Sequence, residues 1–290
     1  ACLEVRGTGL KFVETRTLEE TSTRIGEGHV LVVTGFWNNA YIETGANLKF
    51  IQACGAGYNQ FDLHALTTKG LRFANASGVN VNAVSDHAMA LMLGLVRKIH
   101  LARDNQRAKH WRGMISDISR REAELAGKTL IIFGMGAIGS RLARLAKAFE
   151  MNVIGIRRNT NAIKGLVDEV HTPQAFAGLL PRADYVALTC PLTEETANII
   201  DGGALAAMHE DAYLINVARG GCVDEPALIE ALLSGAIAGA GIDTTVEEPL
   251  DTGSALWDMS NVILTPHTAG ETQAYEENVL DILLENLERL

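Results

Sequence analysis

The sequence is short of proline and cysteine and has no long apolar run. All six prolines lie from Pro173 onward, and the four cysteines form no CxxC pair, which argues against a disulfide framework and a zinc cluster. The cysteines are Cys2, Cys54, Cys190 and Cys222. The longest apolar stretch, residues 88–96, falls well short of the roughly 20 residues that a membrane span needs. We therefore predict a protein of the reducing cytoplasm with no membrane partner.

A basic excess is also lacking, and the chain start has no targeting signal. The sequence has 25 Lys and Arg against 35 Asp and Glu, a formal charge of −10. Proteins that bind nucleic acid need a basic surface to release counterions, so we predict no nucleic-acid partner. The first residues, ACLEVRGTGLKF, lack the cationic start and apolar core of a secretory signal. The hydrophobic share, 47%, is that of a globular protein, and 290 residues suffice for two domains.

Short apolar runs alternate with helix-length segments along most of the chain. The predicted strands lie at residues 30–35, 48–54, 129–134, 152–156, 185–190, 213–218, 237–243 and 261–266. The clearest predicted helices lie at residues 84–100, 137–150 and 225–234. Parallel strands need a crossover connection, which is usually a helix, so this alternation predicts an α/β fold with parallel sheets covered on both faces.

One glycine-rich turn has the spacing of a dinucleotide-binding loop. A predicted strand is followed by GMGAIG at residues 134–139 and then by a long predicted helix. In such a loop the first glycine permits the tight turn, the second admits the pyrophosphate, and the third lets the helix pack closely. The predicted cofactor-binding residues here are Gly134, Gly136, Ala137, Ile138 and Gly139. The glycine pattern alone is weak, but its position between strand and helix favours a dinucleotide over a packing turn.

Two arginines follow the second strand of this unit. A fold that binds NAD usually has Asp or Glu about 20 residues after the glycines, whereas this chain has Arg157 and then Arg158. A guanidinium can bind a 2′-phosphate bidentately, and a carboxylate would repel it. We therefore predict NADP(H) as the preferred cofactor and NAD(H) as the second choice. The alternative is a pair of solvated arginines at a strand exit.

Four blocks of the sequence resemble, in order, those of the D-isomer-specific 2-hydroxyacid dehydrogenase family. They are CGAGYNQFD (54–62), GMGAIG (134–139), NVARGGCVDE (216–225), and GIDTTVEEPL (241–250) with LTPHTAG (264–270). The resemblance implies an NAD(P)-dependent oxidoreductase with two flavodoxin/Rossmann-like domains and an active site in the interdomain cleft. Through Arg157 the chain looks like the NADPH-dependent glyoxylate/hydroxypyruvate reductase branch.

The resemblance assigns Arg219, Glu248 and His267 as the catalytic group. Reducing a 2-oxo acid takes a hydride from the nicotinamide, a cation for the anionic substrate and a proton donor. Arg219 can bind the carboxylate and polarise the 2-oxo group. His267 can donate the proton while Glu248 orients its ring, so we expect reduction to weaken at alkaline pH. Taken singly, the three are as well explained by a solvated arginine, a loop acid and a structural histidine.

The resemblance assigns binding roles to further residues. The backbone N–H groups of Ala56, Gly57 and Tyr58 form the expected substrate-carboxylate loop, together with Arg219 and His267. Asn59 departs from the Asp that is frequent in the family. The remaining cofactor-binding positions are Pro191, Val217, Ala218 and Asp243, of which Asp243 matches the residue that binds the nicotinamide carboxamide. Pro191 is equally well explained as a strand terminator.

The remaining histidines show no spacing typical of a metal site. They are His29, His64, His87, His100, His110, His171 and His209. We predict that they are structural or exposed and that the protein binds no metal.

The resemblance also implies the domain boundaries. The substrate-binding domain is expected at residues 1–84 plus 271–290, and the dinucleotide-binding Rossmann domain at residues 85–270. Because the first residues read like the tail of a helix, we expect a strand-plus-helix segment to be missing from the N-terminus. We expect a homodimer, with residues 98–125 and Trp111 as a candidate interface. Trp111 could equally cap a core.

The sequence thus predicts NADPH-dependent reduction of a small 2-oxo acid, such as glyoxylate or hydroxypyruvate, to the D-2-hydroxy acid. Two other functions stay open. One is a dinucleotide-sensing corepressor or scaffold, because the resembled family includes corepressors. The other is a formate or phosphite dehydrogenase on the same scaffold, because these enzymes also use an arginine and a histidine.

Overall fold

The computed structural model describes residues 3, 6–58, 60–163 and 165–290, and it consists of two compact units. The first unit is formed by Ala1–Asn80 with Glu271–Leu290, and the second by Val81–Gly270. Each unit has one sheet, and all strand pairs within the described residues are parallel. The predicted α/β class with parallel sheets is confirmed.

The strands and α-helices of the described residues are numbered in chain order. The strands are β1 Val30–Val33, β2 Phe50–Ala53, β3 Arg72–Asn75, β4 Thr129–Phe133, β5 Asn152–Ile156, β6 Glu169–His171, β7 Tyr185–Leu188, β8 Tyr213–Asn216, β9 Gly239–Ile242 and β10 Val262–Leu264. The helices are α1 Leu18–Arg24, α2 Tyr41–Thr44, α3 Leu63–Thr68, α4 Val81–Val96, α5 Ile99–Arg107, α6 Ala137–Ala148, α7 Phe176–Leu179, α8 Gly202–Ala207, α9 Glu225–Ser234 and α10 Tyr275–Glu288. Within these ranges no helix is both long and apolar enough to cross a bilayer.

Two strands, β3 and β6, escape the sequence prediction. Neither has an apolar run: β3 reads RFAN and β6 reads EVH, and neither strand is fully buried. A strand is predicted from apolar runs or alternation, and these short segments lack both. They are strands because a parallel neighbour, β2 or β5, offers its backbone groups at the right register.

The second unit has a seven-stranded sheet in the order β10-β9-β8-β7-β4-β5-β6. Side chains on the two faces of this sheet belong to two separate apolar clusters, and Leu130, Ile131 and Ile132 of β4 are fully buried. Burial on both faces explains why the central strands read as continuous apolar runs. The strand order reverses between β4 and β7, and ligands of open α/β sheets bind beyond the carboxyl ends of the strands at such a point.

The single helix predicted at residues 84–100 is wrong, because the structure has two helices there, α4 and α5. Lys98 adopts a left-handed backbone with φ of 51°, and its N–H donates to the carbonyl of Leu95 in a tight turn. The ring of His100 then lies 3.2 Å from the carbonyl of Gly94 and occupies the C-terminal end of α4. No proline or helix-ending glycine marks this break, so the sequence carries no signal for it.

The first unit has a three-stranded sheet in the order β1-β2-β3, and helix α10 packs on it. Phe50 of β2 contacts Leu280 and Leu283 of α10 in one apolar cluster. The buried side chain of Gln52 accepts a hydrogen bond of 2.8 Å from Asn286 on the same helix. The helix therefore belongs to the first unit although the whole second unit precedes it in sequence.

Candidate functional site

The predicted catalytic and cofactor residues of the second unit all follow the ends of strands. Gly134 follows β4, Arg157 follows β5, Arg219 comes after β8, Asp243 follows β9, and His267 comes after β10. Because the seven strands are parallel, these turns lie along the same edge of one sheet. The structure thereby places the predicted residues where an α/β fold builds its ligand site.

The three glycines of the predicted dinucleotide loop differ in what surrounds them. Gly134 has φ of +110°, and a Cβ there would lie 2.6 Å from the backbone nitrogen of Cys190. A Cβ on Gly139 would collide with the carbonyl oxygen of Gly134 and lie 2.8 Å from the hydroxyl of Thr189. A Cβ on Gly136 would meet nothing within 4 Å. Two glycines therefore serve packing, and the third faces open space.

The N-terminus of α6 offers donors beside that open space. Gly136 is its N-cap residue, and no side chain from the described residues caps the helix. The first-turn N–H groups of Ala137 and Ile138 have no acceptor in the described part of the chain. Free N–H groups and the helix dipole together attract phosphate. This end of α6 fits a dinucleotide pyrophosphate on the strength of its own geometry.

Arg157 lies against the glycine loop. Its guanidinium donates from Nη1 to the carbonyl oxygen of Met135 at 2.8 Å, and its side chain is half-buried. A guanidinium has five N–H donors, so most of them are left for a ligand. Arg158, one residue further, is exposed. The structure therefore brings Arg157, but not Arg158, into contact with the predicted cofactor loop.

The backbone that carries Arg219 is held by Asn216, a residue that the sequence analysis missed. The buried Asn216 side chain donates to the carbonyl of Arg219 at 3.0 Å and accepts from the N–H of Ala218 at 3.1 Å. The Arg219 guanidinium donates to the carbonyl of Ala218 at 2.7 Å. A Cβ on Gly220 would collide with the backbone of Thr245, so this turn also packs against the segment after β9. Asn216 could have been predicted from the sequence, because it is a polar residue at the end of a buried apolar strand.

His267 and Glu248 form a hydrogen-bonded pair. Nδ1 of His267 lies 2.8 Å from Oε2 of Glu248, and Oε1 of Glu248 accepts from the N–H of Thr245 at 3.2 Å. The other ring nitrogen, Nε2, has no hydrogen-bond partner among the residues described, and the His267 side chain is 43% exposed. One nitrogen is thus fixed by a carboxylate while the other is available to a substrate, the arrangement that a general acid requires.

Asp243 is 2% exposed and is surrounded by donors. Its carboxylate accepts from the hydroxyl of Thr265 at 2.7 Å and from the N–H groups of Thr268 and Ala269 at 3.0 to 3.2 Å. The hydroxyl of Thr265 also contacts His87, whose Nε2 lies 3.0 Å away. His87 was predicted only to be structural or exposed, because a contact across 178 residues leaves no local pattern in a sequence.

The other predicted cofactor positions lie at strand ends without polar contacts to one another. Val217 and Ala218 are buried, and their side chains belong to clusters on opposite faces of the sheet. Pro191 is exposed after β7, and its carbonyl accepts from the hydroxyl of Thr196 at 2.7 Å. None of these contacts by itself points to a ligand.

The predicted carboxylate loop belongs to the first unit and follows β2. The N–H groups of Ala56, Gly57 and Tyr58 have no acceptor among the described residues, and Tyr58 is exposed. The carbonyl of Ala56 accepts from the side chain of Asn75 at 2.6 Å, which holds the loop in place. Asn59 lies outside the described residues. Three neighbouring free N–H groups are a suitable receptor for a carboxylate.

Comparisons with known proteins agree with this architecture. The family model for "D-isomer specific 2-hydroxyacid dehydrogenase, NAD binding domain" matches residues 89–269. D-3-phosphoglycerate dehydrogenase of Methanocaldococcus jannaschii is 35% identical over 94% of this chain and 52% of its own length. Glyoxylate reductase of Thermococcus litoralis is 35% identical over 89% of this chain and 78% of its own length. A solved acyclic imino acid reductase, in complex with NADPH and D-Arg, aligns with a TM-score of 0.83 at 27% identity over 99% of this chain and 91% of that chain.

The chain belongs to the D-isomer-specific 2-hydroxyacid dehydrogenase family, a family of NAD-dependent oxidoreductases. The resemblance found in the four sequence blocks is thereby confirmed. The chain spans about half the length of the two archaeal phosphoglycerate dehydrogenases that it matches, 46% and 52%.

Proposed function

We propose that the protein catalyses the NADPH-dependent reduction of a small 2-oxo acid, such as glyoxylate or hydroxypyruvate, to the D-2-hydroxy acid. The observation that carries the proposal is the His267–Glu248 pair, which follows the ends of β9 and β10 on the sheet edge that also holds the glycine loop and Arg219. Relatives named glyoxylate reductase support this substrate class.

The proposed chemistry divides the work among three side chains. A nicotinamide bound along this edge would supply the hydride to C2 of the substrate. Arg219 binds the substrate carboxylate and carbonyl, which stabilises negative charge as it develops on the oxygen. His267 donates a proton from Nε2 to that oxygen, and Glu248 stabilises the charged imidazole before the transfer. In the reverse direction His267 accepts the proton again.

The cofactor is proposed to bind along the same edge. The free N–H groups at the start of α6 receive the pyrophosphate, and Arg157 with Arg158 receives the 2′-phosphate of NADPH. Asp243 receives the nicotinamide carboxamide, with Pro191, Val217 and Ala218 beside the bound cofactor. A solved relative that holds NADPH supports this cofactor.

The first unit is proposed to offer a carboxylate receptor of its own. The free N–H groups of Ala56, Gly57 and Tyr58 are its donors, and the exposed Tyr58 ring is proposed to contribute to side-chain selection.

We propose that the partner of the chain is a second copy of itself. Between Arg97 and Lys128 the sequence has nine Lys and Arg against four Asp and Glu, while the whole chain carries −10. The same segment exposes large apolar side chains, Trp111 at 96%, Met114 at 95% and Ile118 at 77%. Trp111 therefore does not cap a core of the second unit. Exposed apolar groups on a basic segment suit a partner with an acidic excess, and a second copy of this chain has a net charge of −10.

A substrate panel tests the enzymatic proposal. The purified protein is assayed with glyoxylate, hydroxypyruvate, pyruvate, phenylpyruvate, 2-oxoisocaproate and 3-phosphohydroxypyruvate, each with NADPH and with NADH, by following cofactor oxidation. We expect turnover of the small acids with the higher kcat/KM for NADPH. Absence of turnover with every acid would overturn the reductase proposal. Oxidation of formate or phosphite in the same assay would favour the dehydrogenase alternative, and cofactor binding without any turnover would favour the corepressor.

A further inference from the structure

We propose that His87 is a positioning residue for the nicotinamide end of the cofactor, which it reaches through a hydrogen-bonded chain to Thr265 and Asp243. The chain consists of His87 Nε2, the Thr265 hydroxyl 3.0 Å away, and Oδ1 of Asp243 a further 2.7 Å away. The inference rests on the proposed function only in taking nicotinamide as the ligand beside Asp243.

The direction of the protons along this chain follows from the donors available. Both oxygens of Asp243 accept backbone N–H groups, and Oδ1 also accepts the hydroxyl of Thr265. The single hydroxyl hydrogen of Thr265 must then point at Asp243. The oxygen of Thr265 can therefore only accept from His87, and Nε2 of His87 carries a hydrogen. The chain runs in one direction, from His87 through Thr265 to Asp243.

The chain matters because Asp243 is a buried carboxylate that has no lysine or arginine partner within the described residues, and the basic side chain beside it is His87, whose Nε2 also lies 3.6 Å from Oδ1. A buried carboxylate is stable only when it is well hydrogen-bonded. Oδ1 accepts from Thr265, Thr268 and Ala269, whereas Oδ2 accepts only from Ala269. Oδ2 thus keeps an acceptor site, which suits the two N–H donors of a carboxamide. Loss of the donor behind Thr265 would free the hydroxyl to turn and would leave Oδ1 without its shortest bond.

The same chain is tied to His267. The N–H of His267 lies 2.8 Å from the carbonyl of Asp243 and 3.0 Å from that of Thr265, and its backbone is left-handed with φ of +54°. A shift of Thr265 would therefore move the turn that carries the proposed proton donor as well as the carboxylate. In this proposal His87 keeps both Asp243 and His267 in position without contacting the cofactor or the substrate.

His87 lies on helix α4, which packs closely against strands β9 and β10 of the sheet. A Cβ on Gly241 of β9 would lie 2.9 Å from the Cβ of Leu91, and a Cβ on Gly94 would lie 2.8 Å from the side chain of Ile263 in β10. These two glycines let the helix and the strands pack in direct contact. The imidazole of His87, which is 23% exposed, is thus carried by a rigid element rather than by a loop.

Cofactor binding tests the inference without any need for turnover. His87→Leu removes the donor and keeps the bulk, whereas His87→Gln places an amide N–H close to the position of Nε2. Affinities are measured by calorimetry for NADPH and for 2′-phospho-ADP-ribose, which lacks nicotinamide, with NADH and ADP-ribose as the second pair. We expect His87→Leu to weaken binding of the whole dinucleotide about tenfold, to leave binding of the fragment unchanged, and His87→Gln to recover most of the loss.

Thr265→Val supplies a second, shape-conserving test if His87→Leu lowers stability. It should reproduce the same loss, and the double variant should be no worse than Thr265→Val alone, because both changes break one chain. Equal weakening of dinucleotide and fragment, or no weakening of either, would overturn the role of His87. A protein that reduces none of the acids but shows the differential binding loses its proposed activity and keeps this inference. If the wild-type protein is active and His87→Leu binds the dinucleotide as tightly as the wild type, the proposed activity is kept and the role of His87 is lost.

Discussion

Nδ1 of His267 and Oε2 of Glu248 are 2.8 Å apart, although the two residues are 19 positions apart in the sequence. The contact fixes the ring at one nitrogen and leaves the other for a substrate. We expect His267→Ala to lower the rate of reduction by about 10²–10⁴-fold, because a positioned general acid contributes that much. Binding of NADPH, measured by calorimetry, should not change.

Glu248→Gln is expected to lower the rate less than His267→Ala. The proton donor His267 is still present in this variant and loses only the negatively charged partner of its Nδ1. The matched control is Glu247→Gln, which changes the exposed neighbouring glutamate and should leave the rate at the wild-type value. A rate in His267→Ala equal to that of the wild type would place the acid on another residue.

The glycine loop offers a pair of variants that separate binding from folding. Gly136→Ala adds a methyl group to open space beside the N-terminus of α6, so the melting temperature should stay close to that of the wild type while cofactor affinity falls at least tenfold. Gly139→Ala adds the same group against the carbonyl of Gly134, so it should lower the melting temperature. Unchanged NADPH affinity in Gly136→Ala would contradict the assigned site.

Arg157 should decide between the two cofactors. Arg157→Ser removes the guanidinium that lies against the Met135 carbonyl, and we expect about a 10–100-fold rise in KM for NADPH and a much smaller change for NADH. Arg144→Ser, an exposed arginine on α6, is the control for a general loss of positive charge. A wild-type kcat/KM for NADH equal to or above that for NADPH would refute the cofactor preference.

Glu169 should stabilise the second unit in a pH-dependent way. Hydrogen bonds from Arg182 and His171 lower the pKa of Glu169 from its ordinary value of 4.5 to about 2. A lowered carboxyl pKa adds stability that is complete above pH 4.5 and disappears as the pH falls from 4.5 towards 2. Glu169→Gln should therefore lower the melting temperature at pH 7 and make no difference near pH 2. Glu210→Gln, at an exposed position, should change neither value.

Trp111 should report on the proposed homodimer. We expect Trp111→Ser to shift the protein from dimer to monomer in light scattering coupled to gel filtration, because the exposed indole contributes a large apolar contact to an interface. Trp257→Ser, at another exposed tryptophan outside the basic segment, should leave the oligomer unchanged. A wild-type chain that is monomeric at high concentration would contradict the proposal.

The sequence predicts most of this architecture because its signals are local. Buried parallel strands such as β4 read as apolar runs, and the glycine loop lies within one strand–turn–helix unit. The break after α4 is not predicted because Lys98 takes a left-handed conformation that glycine usually marks. Asn216 and His87 are missed for a different reason. Their importance comes from hydrogen bonds formed only after the chain has folded, and in the case of His87 the partner is 178 residues away.

The first unit is completed by helix α10, which comes after the whole of the second unit in the chain. Because the chain is synthesised from its N-terminus, Phe50 can contact Leu280 and Leu283 only after the whole of Val81–Gly270 has been synthesised. The unit with the dinucleotide loop and His267 is continuous, so it can fold as soon as its last strand is released. Synthesis of the first unit starts earlier, but the second unit, which is proposed to bind the cofactor and donate the proton, has all of its residues first. The second unit can therefore complete its folding on the ribosome before the first.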